Sequence, residues 1–125
     1  MSVMLLTKPN NSLGQFEQLV LTAVVALRDD AYGLAIQGKV TELYNGKPVN
    51  LGSVYVTLDR LEDKGFVESW FTEPLPERGG RSRRCFGLLP LGDRALKESV
   101  SIQKRSHEAL AAFWRLGKWK PSRAK

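Results

Sequence analysis

Apolar residues recur along this chain with two periods, and the switch between them divides it. Phe16, Leu19, Val20, Ala23, Val24 and Leu27 fall at i, i+3, i+4, i+7, i+8 and i+11, one stripe of a helix. Ser12-Leu13-Gly14-Gln15 ahead of them fits a capping box, so the spacing predicts a first helix from Leu13 to Leu27. Asp29-Asp30 interrupts, and Asp30 offers the next cap. Ile36, Val40 and Leu43 then set the buried side of a second helix, Ala31 to Tyr44, which stops at Asn45-Gly46. Asn50 caps a third helix from Leu51 to Lys64, closed by Gly65. Beyond it the period shortens. Phe66 to Phe71 is aromatic and β-branched and reads as a strand, and Arg83 to Leu89 reads as its return. Between them Thr72 to Ser82, with two prolines and Gly79-Gly80, makes a long turn. Pro90 and Gly92 break the second strand, and a fourth helix runs from Asp93 to Leu116.

The order helix, helix, helix, strand, strand, helix gives a mostly α chain with a small β-hairpin, an α+β class. It is the parts list of a winged helix-turn-helix followed by one extra helix. The expected organisation is a flexible segment over residues 1–11, the winged helix-turn-helix over 12–90, a C-terminal helix over 91–117 and a basic tail over 118–125. At 125 residues there is room for one core and not a second. No apolar run is long enough to span a membrane. The short apolar patch Val3 to Leu6 has neither a basic leader nor a small-residue cleavage site, so it does not read as a secretory signal. A single cysteine, Cys85, leaves no intrachain disulfide, and a cytoplasmic location is expected.

Charge sharpens the picture through its placement. Nineteen Lys and Arg against thirteen Asp and Glu give a net +6, which hints at a polyanionic partner. On the third helix, at about 100° per residue, Val54, Leu58 and Leu61 cluster as the core face. Ser53, Val56, Thr57, Arg60 and Lys64 make a second stripe, short near the N-terminus and basic further on. That distribution suits the roughly 12 Å-wide major groove of a DNA duplex. Tyr55 lies on a separate flank, with its hydroxyl available to a phosphate. On the hairpin, Arg78, Arg81, Arg83 and Arg84 surround Gly79-Gly80, and arginine's planar fork fits phosphate oxygens or a narrow minor groove. Glu73 and Glu77 oppose part of that charge. Each stripe alone also fits an ordinary solvated face; side by side they suggest one surface for double-stranded DNA.

The fourth helix carries Leu96, Val100, Leu110, Phe113 and Trp114 along one side, with Gln103 and His107 in the middle. These are the residues expected at a homodimer seam, where the polar pair fixes register. Folding back onto the first helix is the alternative. Trp70, Phe113 and Trp114 are candidates to line a pocket for a small aromatic effector, although aromatics at such spacing also serve as plain core.

Catalysis finds little support. His107 and Cys85 are the lone residues of their types, so no zinc set exists, and no local motif supports a Cys/His nucleophile. Gly79-Gly80 precedes a strand and lacks a downstream Gly-Lys-Ser/Thr, so it is not a nucleotide phosphate loop. A non-enzymatic protein without cofactor or metal is expected. A winged-helix protein–protein adaptor with incidental charge is the competing class.

Leu13-Gly14-Gln15-Phe16-Glu17 and Asp30-Ala31-Tyr32-Gly33 resemble helix 1 and the start of helix 2 in PadR-like regulators. The stretch from Leu51 to Val67 is similar to that family's recognition helix and its exit into the wing, and Pro76-Glu77-Arg78-Gly79-Gly80-Arg81 with Arg83-Arg84 resembles its short wing. Leu89 and Cys85 depart from residues common in the family, a threonine and an aromatic. The resemblance implies a dimeric bacterial repressor on a palindromic operator, dimerised by the C-terminal helix, with small aromatic ligands for some members. On this basis Ser53, Thr57 and Arg60 are expected at base edges, and Tyr55, Lys64, Arg78, Arg81 and Arg83 at phosphates.

Overall fold

The computed structural model describes residues 12–117 and 120–122. The expected N-terminal segment over 1–11 and most of the tail lie outside them. Helix α1 spans Gln15–Leu27, α2 Gly33–Leu43, α3 Leu51–Asp63 and α4 Pro90–Arg115. Strands β1 (Val67–Phe71) and β2 (Arg84–Leu88) pair antiparallel, with Trp70 opposite Cys85 and Phe71 opposite Arg84. The element order and types are those expected from the sequence: four helices and a hairpin in a winged-helix order.

Helix α1 is the hub, with α2, α3, β2 and α4 all packed on it. Its buried face (Val20, Leu21, Ala23, Val24) meets Ile36 and Val40 of α2, Val54, Leu58 and Leu61 of α3, and Phe66 and Phe86 from the wing. Burying each large side chain of this set contributes roughly 1.5–3 kcal/mol.

The helix starts differ from the sequence expectation. Gly14, not Ser12, takes the cap position of α1, where its N–H donates to Glu17 Oε1 at 3.0 Å. Glu17 is also bonded to Lys64 Nζ at 2.9 Å, so a contact to α3 accompanies the cap at this register. Asp30 does not cap α2. Residues Arg28–Asp30 form a 3-10 turn, and Tyr32 precedes the helix in extended conformation. The cause is the wing: Phe86 N–H donates to Ala31 O at 2.8 Å, and Tyr32 forms an isolated antiparallel bridge to Cys85. One bridging residue leaves no period-2 pattern to read. Asn50 caps α3 as expected, accepting from the Ser53 N–H at 3.1 Å.

Helix α4 starts at Pro90, three residues before the expected Asp93. Proline is accommodated at the first helical position because the N–H it lacks has no intrahelical partner there. The extra turn docks onto the wing. Gly92 is buried so tightly that a Cβ would collide with the Phe66 carbonyl oxygen. Leu91, Ala95 and Leu96 join the common core. From Val100 to Leu110 every residue is exposed.

Candidate nucleic-acid interface

The exposed side of α3 is narrower than its sequence stripe. Ser53, Val56 and Arg60 face outward, with Val56 56% exposed. Thr57 is only 5% exposed, which removes it from the expected base-edge set. The geometry explains why: Thr57 sits about 40° from Leu61 around the helix, on the border of the core face. Lys64, expected at a phosphate, is on the same border and is held in its ion pair with Glu17. Burial acts to raise the Glu17 carboxyl, but the Gly14 N–H and the Lys64 ammonium, with Arg60 nearby, outweigh it and hold the carboxyl below its ordinary value.

Tyr55 emerges on the opposite flank of α3. Its ring and hydroxyl lie over Gly33 so closely that any side chain there would displace them. This contact joins α3 to the first turn of α2. Tyr55 also lines a cleft of about 550 Å³, together with Tyr32, Gly33 and Leu34 and, from the wing, Arg78, Arg81, Ser82, Arg83 and Arg84. The free backbone N–H groups of a helix start and several guanidinium groups thus border one concavity, a setting that favours anions.

The wing arginines divide by role. Arg78 turns inward: its guanidinium donates to Thr72 Oγ1 at 3.3 Å, Glu73 O at 3.0 Å and Arg81 O at 3.3 Å, closing the loop on itself. It is a brace of the wing more than the free phosphate ligand expected. Arg84 Nη2 lies 2.7 Å from Glu62 Oε1 and its Nη1 3.5 Å from Asp59 Oδ1. Glu62 Oε2 also accepts from the Ser69 hydroxyl at 2.7 Å. One carboxylate therefore ties both wing strands to α3, and Arg84 neutralises acidic charge beside the exposed helix face. Arg83 stacks on the Tyr32 ring at 3.9 Å, held at the lip of the cleft. Arg81 is exposed, its guanidinium making one long contact to Arg78 O at 3.4 Å. Tyr32 and Glu62 went unassigned in the sequence, and Arg84 was grouped there with the phosphate-fitting arginines, because their roles are pairwise contacts between elements.

The seam residues of α4 also divide. Leu96 packs on its own chain's core, and Gln103 Oε1 accepts from Gln18 Nε2 of α1 at 3.0 Å. Val100, His107, Leu110, Phe113 and Trp114 are exposed, Trp114 by 60%. Trp70 lies beside Gly87 on the hairpin, and none of three clefts on the described surface is lined by Trp70, Phe113 or Trp114.

Cys85 is 3% exposed, and burial pushes its thiol up, with Arg83 and Arg78 opposing and Asp30 adding to the rise. A protonated, enclosed thiol is a poor nucleophile. His107 is exposed on α4 and is not among the residues lining the cleft beside Cys85. Among the described residues, no three His, Cys, Asp or Glu side chains gather as a metal site, and no helix is long and apolar enough to cross a membrane.

Residues 20–98 match the transcriptional regulator PadR-like family. None of the curated proteins matches the chain. Among solved structures it is similar to a PadR family transcription regulator from Clostridium difficile R20291, at 20% identity and TM-score 0.65, covering 81% of this chain and 99% of that one. It is also similar to a PadR family transcriptional regulator from Eggerthella lenta, at 23% identity and TM-score 0.59, covering 95% and 93%. A third similar structure is a hsRosR complex, at 27% identity and TM-score 0.54, covering 84% and 91%. At these identities the first two speak to the fold, while the match across residues 20–98 speaks to kinship. The chain belongs to the PadR-like family of transcriptional regulators.

Proposed function

We propose that this regulator is a homodimeric repressor that binds an operator of inverted symmetry, with α3 in the major groove and the wing on the flanking backbone. The observation that carries the proposal is that one helix supplies two unlike surfaces. The slim exposed face of α3 carries Ser53, Val56 and Arg60, while its Tyr55 flank lines a cleft shared with Arg81, Arg83 and the start of α2. A duplex offers base edges to the first and a phosphate ridge to the second. Ser53 and Arg60 would reach base edges, and Tyr55, Arg81 and Arg83 would hold phosphates.

Dimerisation is argued from α4. Val100, Gln103, His107, Leu110 and Trp114 follow one another at spacings of three and four, the seam of a helix pair, and most of that seam has no cover in its own chain. A second copy supplies the missing face and the two-fold axis that an inverted repeat mirrors. Residues 12–90 would then be the DNA-reading part and the later turns of α4 the dimer part. An aromatic effector would sit between copies, since none of the three clefts on the described surface of one chain is lined by Trp70, Phe113 or Trp114. The repressor role rests on the family resemblance, and a cytoplasmic location follows from work on DNA.

Fluorescence-anisotropy titration against the region upstream of the protein's own gene, at several salt concentrations, tests the proposal. Tight, salt-dependent binding is expected, and Arg81→Ala should lower affinity for all sequences alike and reduce the log–log salt slope by about 1. Arg60→Ala should instead relax the preference at one base pair. No binding at low salt would overturn the proposal in favour of a protein-binding adaptor.

A further inference from the structure

We infer that Val56 and Arg60 form a two-residue reading head that selects a thymine and a guanine about two base pairs apart in each half-site. The inference rests on the placement of α3 in the major groove proposed above.

Val56 has no structural task that explains it. The core face of α3 is complete without it, since Val54, Leu58 and Leu61 are each 0% exposed, whereas Val56 is 56% exposed. A β-branched residue at an exposed helix position also lowers helix propensity. Its neighbours on that face are Ser53 one turn before and Arg60 one turn after, both exposed and both polar. Gly52 and Ser53 keep the leading end of the helix slim, so a base edge can approach Val56 without a longer side chain in the way.

The major-groove edge of a base pair offers one apolar group, the thymine C5-methyl, and one double acceptor that matches a guanidinium fork, guanine O6 with N7. Val56 fits the first and Arg60 the second. The two residues are four apart on one helix face, hence about 6 Å apart along its axis. With successive base pairs about 3.4 Å apart, that separation spans roughly two steps when the helix follows the groove. Arg60 is exposed and makes no ion pair or side-chain hydrogen bond among the described residues, only a longer-range electrostatic contribution at Glu17. Thr57, the residue that follows Val56, is buried and takes no part.

The test replaces single thymines by deoxyuridine in a duplex selected from a random pool by the wild-type protein, which removes one methyl group and leaves pairing intact. Wild type should lose about fourfold in affinity per half-site at one thymine, the worth of one buried methyl-sized group, and little elsewhere. Val56→Ala should bind the thymine and deoxyuridine duplexes equally, Val56→Thr should keep the discrimination through its own methyl, and both should keep the wild-type salt slope. Arg60→Ala should lose its preference for the guanine two steps away. If wild type binds the selected duplex but is indifferent to every methyl, or if Val56→Ala still discriminates, the inference is overturned while the DNA-binding proposal stands. If wild type selects no duplex at all, both fall.

Discussion

Gly92→Ala and Gly38→Ala, two chemically identical changes within helices, should move stability in opposite directions. At Gly92 an added Cβ would run into the carbonyl oxygen of Phe66 and come within 3.0 Å of that carbonyl carbon and 2.9 Å of Leu88 Cδ1. The carbonyl cannot swing aside cheaply, because it accepts the Leu89 N–H at 2.9 Å where the wing turns into α4. The first turn of α4 must therefore lift away from the core. Overpacking of this kind costs about 1–3 kcal/mol. The entropic benefit of alanine over glycine in a helix returns only about 0.5–1 kcal/mol. The net loss is roughly 1–2 kcal/mol, or about 4–8 °C in Tm for a domain of this size. Gly38 lies exposed in α2, and a Cβ there meets nothing within 4 Å. Only the helix benefit remains, so Gly38→Ala should raise Tm by a few degrees, about 2–4 °C. Circular-dichroism melts at one protein concentration measure both, the concentration being matched because self-association shifts apparent stability. Equal shifts of the same sign, or a Gly92→Ala protein as stable as wild type, would refute the packing of α4 against the wing described here.

Other consequences follow from the contacts between elements. The Glu17 carboxyl is held below its ordinary value in the folded chain, so its contribution is full above the unfolded carboxylate range and fades as pH falls through the folded value. Glu17→Gln should lower stability by roughly 1 kcal/mol near neutral pH and flatten the acid limb of a urea-midpoint-versus-pH plot; parallel curves would contradict the Glu17–Lys64 pairing. Arg84→Ala should leave Asp59 and Glu62 uncompensated beside the duplex and weaken DNA binding by roughly 1 kcal/mol, about fivefold, with partial rescue by adding Glu62→Gln. An unchanged Kd would show that the two carboxylates do not face the DNA. Leu110→Asp, at an exposed seam position, should shift sedimentation to the monomer without loss of helical signal and weaken operator binding steeply.

Much of the fold was legible because it depends on local chemistry. The stripe on α1, the Asn50 cap and the core triplet of α3 are properties of neighbouring residues, and the structure places each where the pattern puts it. What the pattern missed depends on contacts far apart in sequence. The start of α2 is displaced by the bridge from Tyr32 to Cys85, 53 positions further along the chain. The polar border of α3 was read as open surface, yet Thr57 is buried at the edge of the core and Glu17 holds Lys64. On the wing, four arginines look alike in sequence, but Thr72 and Glu73 engage Arg78 and Glu62 engages Arg84. Helical periodicity assigns a residue to a side of its own helix; it does not say which other element lies over that side.

If a two-fold pair of these chains reads DNA through α3 and the wing, selection of bound duplexes from a random pool by the 125-residue chain should show it. The expected result is enrichment of an inverted repeat whose half-site centres lie about 10 base pairs apart, or a multiple of that, as two recognition helices on one face of the duplex require. Recovery of no preferred sequence, or of a single asymmetric site bound by one chain, would contradict it.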